Sequence, residues 1–171
     1  CHAASEHERA NYMTWMGKLP MLAHADPERA LVLCFGSGQT ANAVRREEPR
    51  VIDLVELSPA VYEMAHHFKS NENVLEDARV RAIVMDGRAW LRRCSDLYDV
   101  VTLEPMPPYF ANSNALYSKE FYELIAARLT PDGVVAQWLP FHMLTPYYAT
   151  SVAATFTAMF PRAILWVDPK S

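Results

Sequence analysis

The chain has 171 residues, of which 51% are hydrophobic, and a formal net charge of -4; this is enough apolar material for one domain with its own core, and it excludes a disordered or fibrous chain. The acidic balance, with no basic cluster beyond the pairs Arg45-Arg46 and Arg92-Arg93, speaks against a nucleic-acid or anionic-membrane surface and for a cationic or neutral small molecule. No apolar run reaches the roughly 18 residues needed to span a bilayer, no charged-then-apolar leader opens the chain, and Cys1, Cys34 and Cys94 lack the spacing of a disulfide framework or zinc site. A reduced, cytoplasmic domain without a metal is expected.

In chain order, Ala10, Met13, Met16, Gly17 and Leu19 give a partial helical stripe, which predicts a helix over residues 5–23 running into Pro20. The turn Asp26-Pro27 leads to a strand over 30–34, a short helix over 40–47 stopped by Pro49, and a second strand over 51–56. Ser58-Pro59 reads as an N-cap with proline in the first turn of a helix reaching residue 68, and the polar stretch 71–78 reads as loop. A third strand follows over 80–85, a short helix over 88–93 and a fourth strand over 99–103. Pro105, Pro107, Pro108 and the pair Tyr109-Phe110 force a loop over 104–114. Its base is stiff, and its small polar tip, Ala111-Asn112-Ser113-Asn114, is expected to close over a ligand. Ser118 caps a helix reaching 129, Asp132-Gly133 turns into a fifth strand over 134–138, Thr145-Pro146 opens a helix reaching 160, and a sixth strand covers 163–167.

Strands alternating with helices imply a mostly parallel sheet with ligands at the carboxyl ends of its strands. The stretch Ala30-Leu-Val-Leu-Cys-Phe-Gly-Ser-Gly-Gln39 is an apolar run that breaks at Gly36 and Gly38, and the next strand ends in an acid, Glu56. This is the pattern of a nucleotide-binding β-α-β unit, in which the carboxylate accepts from the ribose hydroxyls. Gln39-Thr40-Ala41 stands where a third glycine would be, so a mononucleoside ligand fits better than NAD or FAD. Gly36-Ser37-Gly38, Glu56, Asp86 and Glu104 each follow a separate predicted strand and so gather at one edge of the sheet. His66-His67 and His142 lack a third ligand at metal-binding spacing, Cys34 and Cys94 read as small packed hydrophobes, and Gln137 and Trp138 end the fifth strand.

The motifs Leu31-Val-Leu-Cys-Phe-Gly-Ser-Gly38, Val55-Glu56-Leu-Ser-Pro59, Asp86-Gly87 and Tyr98-Asp99-Val-Val-Thr-Leu-Glu104-Pro105, with Leu116-Tyr117-Ser-Lys-Glu-Phe-Tyr122, Leu129-Thr-Pro-Asp-Gly133 and Gln137-Trp-Leu-Pro140, come in a fixed order. In that order the chain resembles the class I methyltransferase-type fold, and more closely the spermidine synthase (polyamine aminopropyltransferase) family, especially a bacterial spermidine synthase-like branch often fused to membrane segments. The resemblance implies a Rossmann-like α/β domain, with residues 1–25 as a helical lead-in and 26–171 as the core. It implies that Gly36, Ser37, Gly38, Glu56, Leu57, Asp86 and Gly87 line the cofactor, Glu56 on the ribose and Asp86 on the adenine amino group. Glu104 falls on the family's catalytic aspartate, Tyr12 on a pocket tyrosine, and Pro105, Pro108, Tyr109 and Tyr117 on the substrate loop. The implied cofactor is decarboxylated S-adenosylmethionine or S-adenosylmethionine, with methylthioadenosine as product, and the implied partners are a small amine and, in keeping with the family, a second copy in a homodimer.

Three departures stand out. Ser37, Pro107 and Thr14 occupy positions where the family carries carboxylates, and the family's small N-terminal β-domain and last antiparallel strand are not in the pattern, so the chain reads as a fragment or reduced version. Aminopropyl transfer is the leading expectation, since an amine with a pKa near ~10 needs an acceptor for its proton and Glu104 is placed to be one. Methyl transfer from S-adenosylmethionine and a nucleoside-binding or assembly module without turnover are the alternatives.

Overall fold

A computed structural model describes residues 11–167. Five strands form one sheet: β1 (Arg29–Leu33), β2 (Val51–Glu56), β3 (Val80–Val84), β4 (Tyr98–Leu103) and β5 (Leu129–Gln137). The spatial order is β3-β2-β1-β4-β5, and every pairing is parallel. The central strands are apolar on both faces because both are covered. Along β1, Ala30 and Val32 enter a core with Met21, Ala41, Val44, Ile52 and Leu54. Leu31 and Leu33 enter a second core with Leu91, Leu103, Phe121, Tyr122 and Ile125.

Helices cover the two faces: α1 (Asn11–Ala23), α2 (Gln39–Arg46), α3 (Pro59–Glu63), α4 (Gly87–Arg93), α5 (Lys119–Ala126) and α6 (Pro146–Met159). Their starts follow the capping chemistry of the sequence. Asp86 accepts from Arg88 N and Ala89 N at the head of α4, Ser118 accepts from Phe121 N on α5, and Thr145 accepts from Tyr148 N on α6.

The structure differs from the sequence reading in several places. Residues 163–167 form no strand: Ile164 is 87% exposed and Trp166 62%. Their composition suits a half-buried pleat, but among the described residues no neighbouring strand lies alongside to complete a ladder. Strand β5 begins at Leu129 rather than 134, passing through Pro131 and Gly133 with a register shift against β4 between Tyr98 and Val100. Proline is tolerated there because the strand is at the sheet's edge. That early start ends α5 at Ala126 rather than 129. Helix α3 stops at Glu63 and continues only as a 3-10 turn over Ala65–His67, and the expected loop after it holds two further 3-10 turns, Lys69–Asn71 and Val74–Glu76. The part of the first helix expected over 5–10 lies outside the described residues.

Helix α1 also runs through Pro20 instead of ending there. Proline removes the N–H that would bond the carbonyl four residues back. That carbonyl, Met16 O, instead accepts from the Thr102 hydroxyl of β4 at 2.8 Å, so the missing bond becomes a tie between helix and sheet. Gly17 fixes the other contact. A Cβ there would lie 2.5 Å from Thr40 O and 2.7 Å from Ala43 Cβ, so only glycine lets α1 lie this close to α2. Gly17→Ala gains about 1 kcal/mol in helix propensity but must force the two helices apart, and overpacking of this kind costs about 1–3 kcal/mol. We expect a net loss of up to about 2 kcal/mol in denaturant unfolding; a gain of about 1 kcal/mol would mean that the helices are not in this contact.

Candidate active site

The loop after β1 turns through three left-handed residues, Cys34 (φ 70), Gly36 (φ 56) and Gly38 (φ 82). At Gly38 a Cβ would sit 2.5 Å from the Phe35 ring and 2.8 Å from Asn71 Cβ, so glycine is required for both conformation and space. Cys34 adopts the same backbone region without that freedom. Its amide donates to Val55 O at 3.0 Å, carrying the β1–β2 ladder one residue into the loop. The thiol is pushed up to about 12 by burial, and then by the negative charges of Glu56, Glu104 and Asp86. Carboxylates from the ends of three strands therefore all act on this one thiol.

Glu56 is held by the main chain on both oxygens: Oε2 accepts from Phe35 N at 3.0 Å and Oε1 from Ser58 N at 3.1 Å. A carboxylate has about four acceptor sites, so the remaining lone pairs are free for hydroxyl donors, and among the described residues no cation pairs with it. Leu57, next in sequence, is 69% exposed. Asp86 places Oδ1 on Arg88 N at 3.1 Å and Ala89 N at 3.0 Å, and Oδ2 lies 3.4 Å from Arg88 Nη2. Burial raises the Asp86 carboxyl, but these donors and the Arg88 charge outweigh it, and the group stays ionised below the usual carboxylate range. Gly87 opens α4; a Cβ there would meet only Leu33 Cδ2 at 3.4 Å, so its lack of a side chain is not demanded by the fold.

Ser37 is 2% exposed, with its hydroxyl on Met13 Sδ at 3.6 Å, and Gln39 Nε2 donates to Thr14 Oγ1 at 3.0 Å. Ser37 and Thr14 thus both lie at the seam between the glycine loop and α1.

Glu104 follows β4 and is half-buried. Desolvation pushes its carboxyl up to about 7, with the Thr40 hydroxyl bonded to Oε1 pulling the other way. Tyr12, from α1, stacks on Trp138 with ring centroids 5.5 Å apart and planes 17° apart. Burial, and then the charge of Glu104, raise the Tyr12 phenol so that it stays neutral. Trp138 sits at the end of β5, where its amide donates to Leu103 O at 3.0 Å.

The proline loop is anchored at both ends. Tyr117 is 5% exposed and donates to Pro105 O at 3.1 Å, Gln137 Nε2 donates to Leu116 O at 3.4 Å, and Phe110 N donates to Pro107 O at 3.0 Å. Pro108 is half-buried. Tyr109 projects from the tip at 60% exposure against Phe110. Of the two loop tyrosines singled out, Tyr117 braces the base and Tyr109 faces solvent.

The strand order fixes the sequence of groups along the edge: Asp86, Glu56, the glycine loop, Glu104, Trp138. With strands about 4.8 Å apart, the strands leading to Asp86 and Glu104 are separated by about 14 Å. Sequence reasoning takes Cys34 for a small packed hydrophobe and Gly17 for part of a helical stripe, and gives Thr40 no role in the site. A cysteine between a strand end and a glycine was the available signal for the first; the other two show only through contacts between elements.

The spermine/spermidine synthase domain matches residues 9–167. The chain belongs to that family. It is similar to a polyamine aminopropyltransferase of Nitrosomonas europaea, 32% identical over 161 residues, covering 92% of this chain and 48% of the relative. It is equally similar to polyamine aminopropyltransferase 2 of Pseudomonas aeruginosa, 32% identical over 162 residues, covering 92% of this chain and 46% of that one. The chain therefore spans about half the length of these curated relatives. Among solved structures, a spermidine synthase in complex with the transition-state analogue AdoDATO superimposes with a TM-score of 0.80 at 23% identity, over 88% of this chain and 52% of that one. The spermidine synthase of Thermotoga maritima gives a TM-score of 0.75 at 22% identity, over 88% of this chain and 51% of that one. The fold is accordingly the Rossmann-like, methyltransferase-type α/β fold of spermidine synthases. Among the described residues no helix is long and apolar enough to cross a membrane, and no three His, Cys, Asp or Glu side chains group as metal ligands.

The raised carboxyl of Glu104 makes a stability prediction. In the unfolded chain this group titrates near 4.5 and in the folded one near 7, so between those values the folded state holds more protons and stability falls as pH rises. Glu104→Gln has no proton to lose. It should match the wild type near pH ~4 and exceed it by about 1–3 kcal/mol near pH ~8 in denaturant unfolding. An equal pH slope in both proteins would place Glu104 in contact with water.

Proposed function

We propose that the domain carries the sulfonium-binding and catalytic site of a polyamine aminopropyltransferase: it binds decarboxylated S-adenosylmethionine, transfers its aminopropyl group to a small amine and releases methylthioadenosine. The observation that carries the reading is the pairing, on one sheet edge, of two strand-end acids held by main-chain amides, Glu56 and Asp86, with an acid raised by burial, Glu104, about two to three strand spacings away. That separation suits a nucleoside at one end and a reacting carbon at the other. The aminopropyltransferase relatives, each matched over 92% of this chain, support it, as does the fold shared with a spermidine synthase held in complex with AdoDATO.

In this reading Glu56, fixed by Phe35 N and Ser58 N, accepts from the two ribose hydroxyls, and Asp86 accepts from the adenine amino group. Leu57 covers one face of the base. The incoming amine gives a proton to the Glu104 carboxylate, its lone pair attacks the carbon beside the sulfonium, and the carbon–sulfur bond breaks with its electrons on sulfur. The positive charge leaves the sulfur, and a neutral thioether departs. Tyr12 and Trp138 wall the amine side, and the Tyr109 tip closes the site. An acid titrating near 7 is matched to this task at neutral pH.

The neutral Ser37 neither attracts the ammonium tail of the decarboxylated cofactor nor repels the carboxylate of S-adenosylmethionine. Two unit charges ~4 Å apart interact by about 4 kcal/mol at an effective dielectric near ~20, and losing one carboxylate removes most of such a preference. Discrimination between the two sulfoniums is therefore below roughly tenfold.

The test is product analysis with each sulfonium and a panel of amines. Methylthioadenosine should be released, with kcat/KM rising through about pH 7 as Glu104 ionises, and Glu104→Gln should lower it by at least ~100-fold. Release of S-adenosylhomocysteine would establish methyl transfer instead, and binding without either product would establish a module without turnover.

A further inference from the structure

Thr40 is 6% exposed, and its hydroxyl lies within bonding distance of two acceptors: Met13 O at 3.0 Å, and Oε1 of Glu104. A hydroxyl carries one proton and two lone pairs, so it cannot donate to both. Met13 O can only accept. When Thr40 donates there, its oxygen faces Glu104 as an acceptor, and only a protonated carboxyl satisfies that contact. When Glu104 is ionised, the hydroxyl must turn to it. The turn is cheap, because Met13 O lies within α1 and keeps its helix bond to the amide four residues on.

We infer that Thr40 is a positioning residue for Glu104, turning its single proton between the Met13 carbonyl and the Glu104 carboxylate as that acid gains and loses its own proton, so that the acid keeps one geometry in both charge states. The inference rests on the proposed role of Glu104 for its link to catalysis, but not for its link to the proton. The surroundings leave the task to Thr40. Helix α1 presents the Tyr12 phenol, whose ring stacks on Trp138 after β5, and the end of β1 presents the Cys34 thiol. Thr40 comes from α2, and among the described residues no lysine or arginine pairs with Glu104. Burial disfavours the ionised form, and the hydroxyl favours it. The seat of the hydroxyl depends in turn on Gly17, which lets Met13 approach Thr40.

The experiment follows the protonation of Glu104 by the infrared carboxyl band that is missing in Glu104→Gln, in the wild type, Thr40→Val and Thr40→Ser. A hydrogen bond to a charged group corresponds to about one pH unit or more. In Thr40→Val the midpoint should rise by about one unit, in Thr40→Ser it should stay near the wild type, and the acid limb of the kcat/KM profile should move with it. If Thr40→Val does not fold, Thr40→Ala is read in the same way. A midpoint unchanged by loss of the hydroxyl, or displaced as far by serine as by valine, overturns the inference. The infrared arm needs no turnover, so a protein that transfers no aminopropyl group still decides the role of Thr40, while a fully active enzyme with an unmoved midpoint rejects it.

Discussion

Parallel pairing makes strands stop side by side. Because β3, β2, β1 and β4 all run the same way, the residue after each one emerges at the same edge, and Asp86, Glu56, Cys34 and Glu104 are neighbours although up to 70 positions apart in the chain. Pairing also explains why these acids can be left there. A carboxylate at a strand end meets main-chain amides that its own strand does not use, and Glu56 and Asp86 are both held in this way. Their orientation is supplied by backbone, which moves little, and not by long cationic side chains.

Glu104 is treated differently. Among the described residues it receives a single hydroxyl, and burial raises its carboxyl, an arrangement that costs stability at neutral pH and has no evident structural return. Two acids elsewhere are matched with cations: Asp53, fully buried, accepts from Arg81 and from the Tyr98 hydroxyl at 2.8 Å, and Asp77 is paired with Arg79. The contrast within one molecule is the physical argument for a working role, since unpaired desolvated carboxylates are retained chiefly where their proton is used. Helix α1 completes the arrangement. Pro20 frees Met16 O for Thr102, Gly17 admits α2, and the helix so seated brings Tyr12 against Trp138.

Much of this was legible in the residues. The glycine-broken run, the acids after successive strands and the proline loop are local patterns, and their order carried the family resemblance. The seating of α1 was not legible. Pro20 looks like a helix stop until Thr102, 82 residues later, is seen to compensate for it through Met16, and Gly17 looks like an ordinary weak helix residue until the Thr40 carbonyl is found beside it. The segment Ile164 to Val167 has the composition of a strand, yet a strand exists only with a neighbour to pair with. The opposite error occurred at Asp132-Gly133, which reads as a turn and lies with Pro131 inside β5, because an edge strand with a register shift tolerates them.

The central claim is that this edge binds a nucleoside by its ribose through Glu56. Calorimetric titration of the wild-type protein with methylthioadenosine and with its 2′,3′-dideoxy counterpart tests it without altering the protein. Two hydrogen bonds to a charged acceptor are worth about 1.5–3 kcal/mol or more, so the dideoxy compound should bind at least ~10-fold more weakly. Equal affinity for the two would contradict the account.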